Sequence, residues 1–266
     1  MSDRVTWQVT DDAAVIYEQS FVPAIFANAA LALADAAGIG RGDRVLDVGC
    51  GTGAVTREAA RRAGAEGRVV GLDLNPRMLA VAQRVAPEIE WRQGDAGDLP
   101  FGDAVFDVVV SQFALMFFPD QVGALRGMWR VLAPRGRIAV AVCGRLADTA
   151  GYAALARVAE RVCKPEVVDL LRSPFTLGDP ERLADLARAA GIAGAEVQTR
   201  QSPVRFPSID ALVQTEVKAS PIRDVIDDRS FEALLQGARE ALAPWREDGG
   251  AIAFPLPTHI LTARKA

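Results

Sequence analysis

The chain has 266 residues, half of them hydrophobic, with 30 Lys+Arg against 34 Asp+Glu and a formal charge of -4. The mild acidity argues against a nucleic-acid binder, which needs a basic face for phosphates. One histidine and three scattered cysteines (Cys50, Cys143, Cys163) exclude a disulfide scaffold and assemble no zinc-ligand set, so no metal is expected. Only three lysines occur, which reads as genome composition rather than function.

The N-terminal MSDRVTWQVTDDAA lacks the basic segment and apolar core of a signal peptide. The apolar stretch 21–34 carries Pro23 and Asn28, stops at Asp35, and falls short of the roughly 20 residues a membrane span needs. A soluble, cytoplasmic protein is expected.

Alanine-rich helices are predicted over 14–37, ending at Gly38 and Gly40. A short buried strand over 44–48 leads through a Gly-rich turn into a helix over 55–63 that Gly64 stops. Residues 68–72 form the next apolar run, and Asn75-Pro76 supplies a cap and a first-turn proline for the helix after it. Strands over 89–92, 106–111 and 138–142 follow, with a helix opened by Asp120 and ended by Pro134-Arg135-Gly136 between the last two. Strands that alternate with helices and lack polar alternation imply βαβ units around a parallel sheet covered on both faces.

Beyond residue 145 a helical stripe after Tyr152, a helix from Asp179-Pro180 to Gly191, and a long strand over 195–205 are expected. Helices near 208–219 and 230–243 precede a last strand over 258–264. Segments 145–178 and 207–250 read as cover over one core, so 1–266 is taken as a single domain. Its core comprises 40–145, 179–206 and 251–266, with helical lid segments over 1–38, 145–178 and 207–250.

The most informative stretch is Val45-Leu46-Asp47-Val48-Gly49-Cys50-Gly51-Thr52-Gly53-Ala54. Glycines at a strand-to-helix turn let backbone approach a ligand where a Cβ would collide, and the helix start favours an anionic group. Gly49-x-Gly51-x-x-Ala54 also satisfies the dinucleotide fingerprint, so the glycines alone leave the ligand open. Asp73 ends the second strand, 20 residues after Gly53, where a carboxylate can accept ribose hydroxyls. Asp95 follows the third strand and can accept from an adenine amino group, with Leu74 and Ala96 as apolar walls.

With these pieces in order, the chain resembles the class I S-adenosylmethionine-dependent methyltransferases. It is most similar to the small-molecule group that includes the ubiquinone/menaquinone-biosynthesis C-methyltransferases. The resemblance rests on VLDVGCGTG (45–53), GLDLNPRMLA (71–80), GDAGDLPF (94–101), FDVVVSQFALMFFPD (106–120) and VLAPRGRIAVAV (131–142), covering about 40–145. Pro134-Arg135-Gly136 departs from the usual Pro-Gly-Gly, in a turn remote from the cofactor. The resemblance implies a Rossmann-like, doubly wound seven-stranded sheet whose last strand is antiparallel, with S-adenosyl-L-methionine as cofactor.

By that resemblance Asp47, Gly49, Cys50, Gly51 and Gly53 line the methionine part, Asp73 holds the ribose, and Asp95, Leu74 and Ala96 hold the adenine. Gln112 meets the methionine end or the transferable methyl, and Tyr17 lies on an N-terminal helix that closes over the cofactor. The protein's task in such a displacement is to align the nucleophile and exclude water. His259 is the candidate base, because an antiparallel last strand starts on the ligand-binding side of the sheet. Phe113, Met116 and Phe117, with Tyr152 and Phe175 from the lid, are candidate walls for a small, largely apolar or aromatic acceptor. The Asn/Asp-Pro-Pro-Tyr/Phe segment of DNA and protein-glutamine methylating enzymes is replaced here by Ser111-Gln112-Phe113-Ala114. No strongly basic amphipathic helix points to a membrane. A cofactor-binding regulatory or scaffold protein is the second reading, and a nicotinamide-dependent oxidoreductase the third. Sequence leaves the oligomeric state open.

Overall fold

The computed structural model describes residues 10–266. Residues 1–9, on which most of the signal-peptide reading rests, lie outside the described residues.

Seven strands form one sheet: β1 (Arg44–Val48), β2 (Arg68–Asp73), β3 (Glu90–Gln93), β4 (Phe106–Gln112), β5 (Leu132–Cys143), β6 (Glu196–Phe206) and β7 (Ile252–Arg264). Their order is β3-β2-β1-β4-β5-β7-β6. The first five run parallel, and β7 enters antiparallel between β5 and β6. The chain order turns back between β1 and β4, so a crevice opens at the carboxyl ends of these two strands. Val45, Leu46, Val108, Val109 and Val110 are fully buried at this centre, as the uninterrupted apolar runs require.

The N-terminal segment is one continuous helical rod, Asp11–Ala36, of 26 residues. It consists of α1 (Asp11–Ile16), a wider π-type stretch Tyr17–Phe26, and α2 (Ala27–Ala36). By length and composition this rod is able to cross a bilayer, which the run 21–34 read by itself is not. Here its apolar face is part of the protein core: Phe21, Ile25, Ala30 and Leu33 are buried in the main cluster.

The crossover helices obey their capping signals. α3 (Ala54–Ala63) ends at Gly64 in a positive-φ conformation. α4 (Pro76–Val85) starts with Asn75 Oδ1 accepting from the Arg77 N–H at 2.9 Å. α5 (Gln121–Val131) starts with Asp120 accepting from the Gly123 N–H at 2.8 Å. At the far end of α5, Lys265 Nζ donates to the carbonyls of Trp129 (2.8 Å) and Leu132 (2.7 Å), tying the last strand to the helix C-terminus.

Two boundaries differ from expectation. Pro134-Arg135-Gly136 does not end α5, which stops at Val131; these residues already belong to β5, with Arg135 at a φ of 64°. β7 begins at Ile252 rather than near 258, because it pairs with β6 along its whole length, Phe206 opposite Ile252 and Glu196 opposite Thr262. The remaining helices are α6 (Ala150–Val162), α7 (Pro165–Arg172), α9 (Ile209–Lys218) and α10 (Asp228–Ala241), with α6 packed against α7 and α10, and α10 against α9. α8 (Pro180–Ala189) packs against α5 and β6.

Candidate cofactor and acceptor site

At the crevice the loop after β1 folds with Gly49, Gly51 and Gly53 at φ of 73°, 56° and 92°. These left-handed conformations strain any residue with a side chain. The three glycines do different work. A Cβ on Gly49 would sit 2.5 Å from Ala114, and one on Gly53 would sit 2.3 Å from the Trp91 ring. A Cβ on Gly51 instead would meet only Tyr17, its hydroxyl at 3.8 Å and its ring at 3.9 Å, and Gly51 lines the open cleft.

That cleft offers about 170 Å³ and is bordered by Tyr17, Gly49, Gly51, Asp73, Leu74, Asp95, Ala96, Gln112, Phe113 and Phe117. Met78, Phe118 and Pro119 join them. A smaller cavity of about 20 Å³ continues below, between Tyr17, Asp47, Cys50, Thr52, Ala54 and Gln112.

Most of the expected cofactor residues are therefore brought together. Asp73 Oδ2 accepts from the Gly51 N–H and Oδ1 from the Asn75 N–H, both at 2.8 Å, so the carboxylate is fixed at the cleft mouth. Burial raises its pKa, and the backbone donors partly offset that. Asp95 accepts from the Gly97 N–H at 2.8 Å, remains exposed, and borders the cleft. Leu74 is 48% exposed although apolar, as expected of a surface that a flat base covers. Gly53 borders neither cavity; its small size is used by Trp91.

The small cavity tests whether an amino-acid head fits. Four buried polar atoms have no hydrogen-bond partner within the described residues: Glu18 Oε2, Asp47 Oδ1, Thr52 Oγ1 and Gln112 Oε1. Each is able to accept a hydrogen bond, and a buried acceptor left unpaired costs roughly 1–3 kcal/mol. Asp47 Oδ2 is taken by Thr56 Oγ1 at 2.6 Å, and the Gln112 amide is fixed by donating to the Phe26 carbonyl at 3.0 Å. Burial pushes the Asp47 carboxyl up to about 7. An ammonium group would satisfy several of these atoms at once, while the start of α3 at Ala54 offers N–H groups to a carboxylate. The residues present thus fit the zwitterionic head of a methionine-derived cofactor.

Tyr17 closes the site from above. Its ring stacks on Phe26 at 5.0 Å, and Phe26 meets Phe113 at 5.8 Å. Burial and the acids Asp73, Glu18 and Asp47 raise the pKa of its hydroxyl, which therefore stays protonated. Sequence reading took Thr52 only as part of the loop 49–53 and Glu18 only as Tyr17's neighbour on the covering helix, and gave Met78 no role. Glu18 adjoins Tyr17 in sequence, and the signal that marks it is its counter-ion Arg57, at 2.8 Å.

The acceptor candidates divide. Phe113 and Phe117 wall the cleft, and Phe113 leaves β4 at a φ of 51°, a strained conformation for an aromatic residue. Met116 packs into the core instead. Tyr152 and Phe175 pair at 5.4 Å in a separate aromatic cluster with Phe254, away from the walls of the cleft.

His259 is not brought to the cleft. It pairs with Val142, at the expected height on the sheet, but β5 separates β7 from β4 and β1. Its Nδ1 bonds Thr199 Oγ1 at 2.8 Å and its Nε2 bonds the Gly178 carbonyl oxygen at 3.0 Å. The side chain lines a different cavity, with Arg145, Asp148 and Asp179.

A seven-stranded sheet with a reversed last strand, a Gly-rich loop over an ammonium-sized cavity, and a carboxylate after the second strand define an S-adenosylmethionine-binding transferase fold. A methyltransferase-domain family model matches residues 46–140. Nocamycin O-methyltransferase of Saccharothrix syringae is 34% identical over 222 residues, covering 77% of this chain and 78% of that protein. A ubiquinone/menaquinone biosynthesis C-methyltransferase from Idiomarina loihiensis is 42% identical over 112 residues, covering 40% of this chain and 45% of the relative. The chain thus spans about half the length of the first quinone-methylating relatives it matches. Among solved structures, Haemonchus contortus phosphoethanolamine N-methyltransferase 2 in complex with S-adenosyl-L-methionine has a TM-score of 0.61 at 21% identity, over 96% of this chain and 57% of that one. The YcgJ protein of Bacillus subtilis has a TM-score of 0.58, over 88% and 96%. The chain belongs to the class I S-adenosylmethionine-dependent methyltransferases, and S-adenosylmethionine is its cofactor.

Proposed function

We propose that the chain transfers the methyl group of S-adenosylmethionine to a small, largely apolar or aromatic acceptor by in-line displacement. The bound cofactor supplies an electrophilic methyl on a sulfonium. Asp47, Thr52, Gln112 and Glu18 hold its ammonium, Asp73 the ribose, and Leu74, Asp95 and Ala96 the adenine. Tyr17 and the π-type stretch exclude water above them.

The observation that carries the acceptor reading is the apolar wall Phe113–Phe117–Phe118, continuous with the cofactor cleft. A wall of aromatic rings suits a flat apolar molecule and offers nothing to a charged polymer. The relative aligned over 78% of its length is named for oxygen methylation, while a C-methyltransferase of Serratia proteamaculans is aligned over 69% of its length. The longer similarity, over 77% of this chain, favours an oxygen acceptor. Incubating the protein with methyl-labelled S-adenosylmethionine and a panel of phenols, catechols, enolic 1,3-dicarbonyls, amines and phosphoethanolamine tests this. Labelling of aromatic or enolic members supports it, and labelling confined to amines or phosphoethanolamine overturns it.

A further inference from the structure

Gly71 stands in the middle of β2, where a residue without a side chain weakens the strand. It pairs with Asp47 of β1 on one side and with Trp91 of β3 on the other. A Cβ at Gly71 would sit 2.5 Å from the Trp91 ring and 3.1 Å from Cys50 Sγ. The indole therefore lies across Gly71, in the space a side chain would fill, and it reaches the loop after β1. There a Cβ on Gly53 would sit 2.3 Å from the outer atoms of the same ring. Two glycines thus make room for one side chain. The ring is also held from its other end: Trp91 Nε1 donates to the carbonyl of Ala86, which caps α4, at 2.9 Å.

β3 is an edge strand, and its residues Glu90, Arg92 and Gln93 are exposed while Trp91 is half-buried. An apolar residue that merely fills space at such an edge does not call for glycines at two distant positions, each of which loosens the backbone. What the indole meets explains the arrangement. Gly53 is the N-cap of α3, in a left-handed conformation and with no side-chain cap. Thr52 before it, Ala54 after it and Cys50 all line the small cavity. Trp91 lines neither cavity; it packs against the backbone between residues that do. The first N–H groups of α3 have no partner inside the helix, and where they point depends on how Gly53 is held.

We propose that Trp91 is a positioning residue for the cofactor: it braces Gly53 and so aims the first N–H groups of α3 at the carboxylate of the amino-acid head. It acts through the loop and touches neither cofactor nor acceptor. The inference rests on the head lying in the small cavity, and adds what holds that cavity in shape. A glycine in the left-handed region has many other conformations open to it. A rigid ring wedged between β2 and the loop removes them before the cofactor arrives, which spares part of the ordering cost of binding. A smaller or flexible side chain at position 91 leaves the loop free to move, and the penalty falls on the head and not on the adenosine.

S-adenosylhomocysteine and its decarboxylated analogue, which keeps the adenosine, thioether and ammonium, are titrated calorimetrically into wild type, Trp91→Phe and Trp91→Leu. Affinity for S-adenosylhomocysteine should fall about tenfold in Trp91→Leu and less in Trp91→Phe, whose shorter ring keeps only part of the contact. Affinity for the decarboxylated analogue should stay within about twofold in all three. Loss of mere packing would weaken both ligands alike, and a thermal melt of each variant reports the folding cost separately. If Trp91→Leu does not fold, the same contrast is read from Trp91→Phe. Equal losses for the two ligands, an unchanged S-adenosylhomocysteine affinity, or wild type that holds both ligands equally overturns the assignment and leaves the cofactor reading standing. Failure of wild type to bind S-adenosylhomocysteine overturns both.

Discussion

Arg57 on α3 and Glu18 on the N-terminal rod form a half-buried ion pair at 2.8 Å, and the same guanidinium donates to the Thr52 carbonyl at 2.6 Å. One side chain thereby joins the covering helix to the Gly-rich loop. The other oxygen of Glu18 is buried without a hydrogen-bond partner among the described residues. Order in the cover and affinity for the cofactor are coupled through this pair.

Replacing Arg57 by Ala is therefore expected to weaken S-adenosylhomocysteine binding about tenfold, equivalent to about 1.4 kcal/mol. The melting temperature of the ligand-free protein should fall as well, since truncation leaves the largely buried Glu18 carboxylate without its counter-ion. Calorimetric titration and a thermal melt on the same variant separate the two effects.

Two glycines of one motif should behave differently. Gly53→Ala places a methyl group against Trp91 at a φ of 92° and should cost stability, roughly 2–4 kcal/mol. Gly51→Ala meets nothing closer than 3.8 Å and should cost roughly 1 kcal/mol of stability from its φ alone. It should lose far more in cofactor affinity, because its methyl group would stand in the cleft. Urea unfolding read beside S-adenosylhomocysteine titration distinguishes them.

Stability of the ligand-free protein should depend on pH through the buried acids. Asp47 and Glu216 sit at about 7 when folded, above the ordinary carboxyl range. Between about pH 4 and 7 the folded state then holds more protons than the unfolded one, so stability falls as pH rises through that window. The melting temperature at pH 5.5 should exceed that at pH 7.5. Asp47→Asn and Glu216→Gln should each flatten the slope. A slope of the opposite sign would contradict the burial of both groups.

Much of this architecture was legible beforehand. β1 matched its predicted limits, and the caps at Asn75, Asp120 and Asp179 each accept the expected backbone N–H. Local signals of this kind act within a few residues. What escaped were long-range relations. β7 is extended by pairing with β6, and Gly53 serves a tryptophan 38 residues away. Glu216 stood in an ordinary amphipathic helix with nothing local to mark it as buried. His259 was misleading for the same reason: topology fixed its height on the sheet but not its lateral distance from the cleft.

His259→Ala should accordingly leave S-adenosylhomocysteine affinity and the rate of methyl transfer within about twofold of wild type. It should lower stability by roughly 1–3 kcal/mol, because Thr199 and the Gly178 carbonyl each lose a hydrogen-bond partner. Denaturant unfolding alongside labelled-methyl transfer checks both halves.

The central claim is that the cavity between Asp47, Thr52 and Gln112 receives the ammonium of a methionine-derived cofactor. Calorimetric titration of wild type and Asp47→Asn with S-adenosylhomocysteine, and of wild type with NADH, tests it most directly. Micromolar binding to wild type is predicted, at least tenfold weaker in Asp47→Asn, with no binding of NADH. Binding of NADH, or equal S-adenosylhomocysteine affinity in the two proteins, would contradict it.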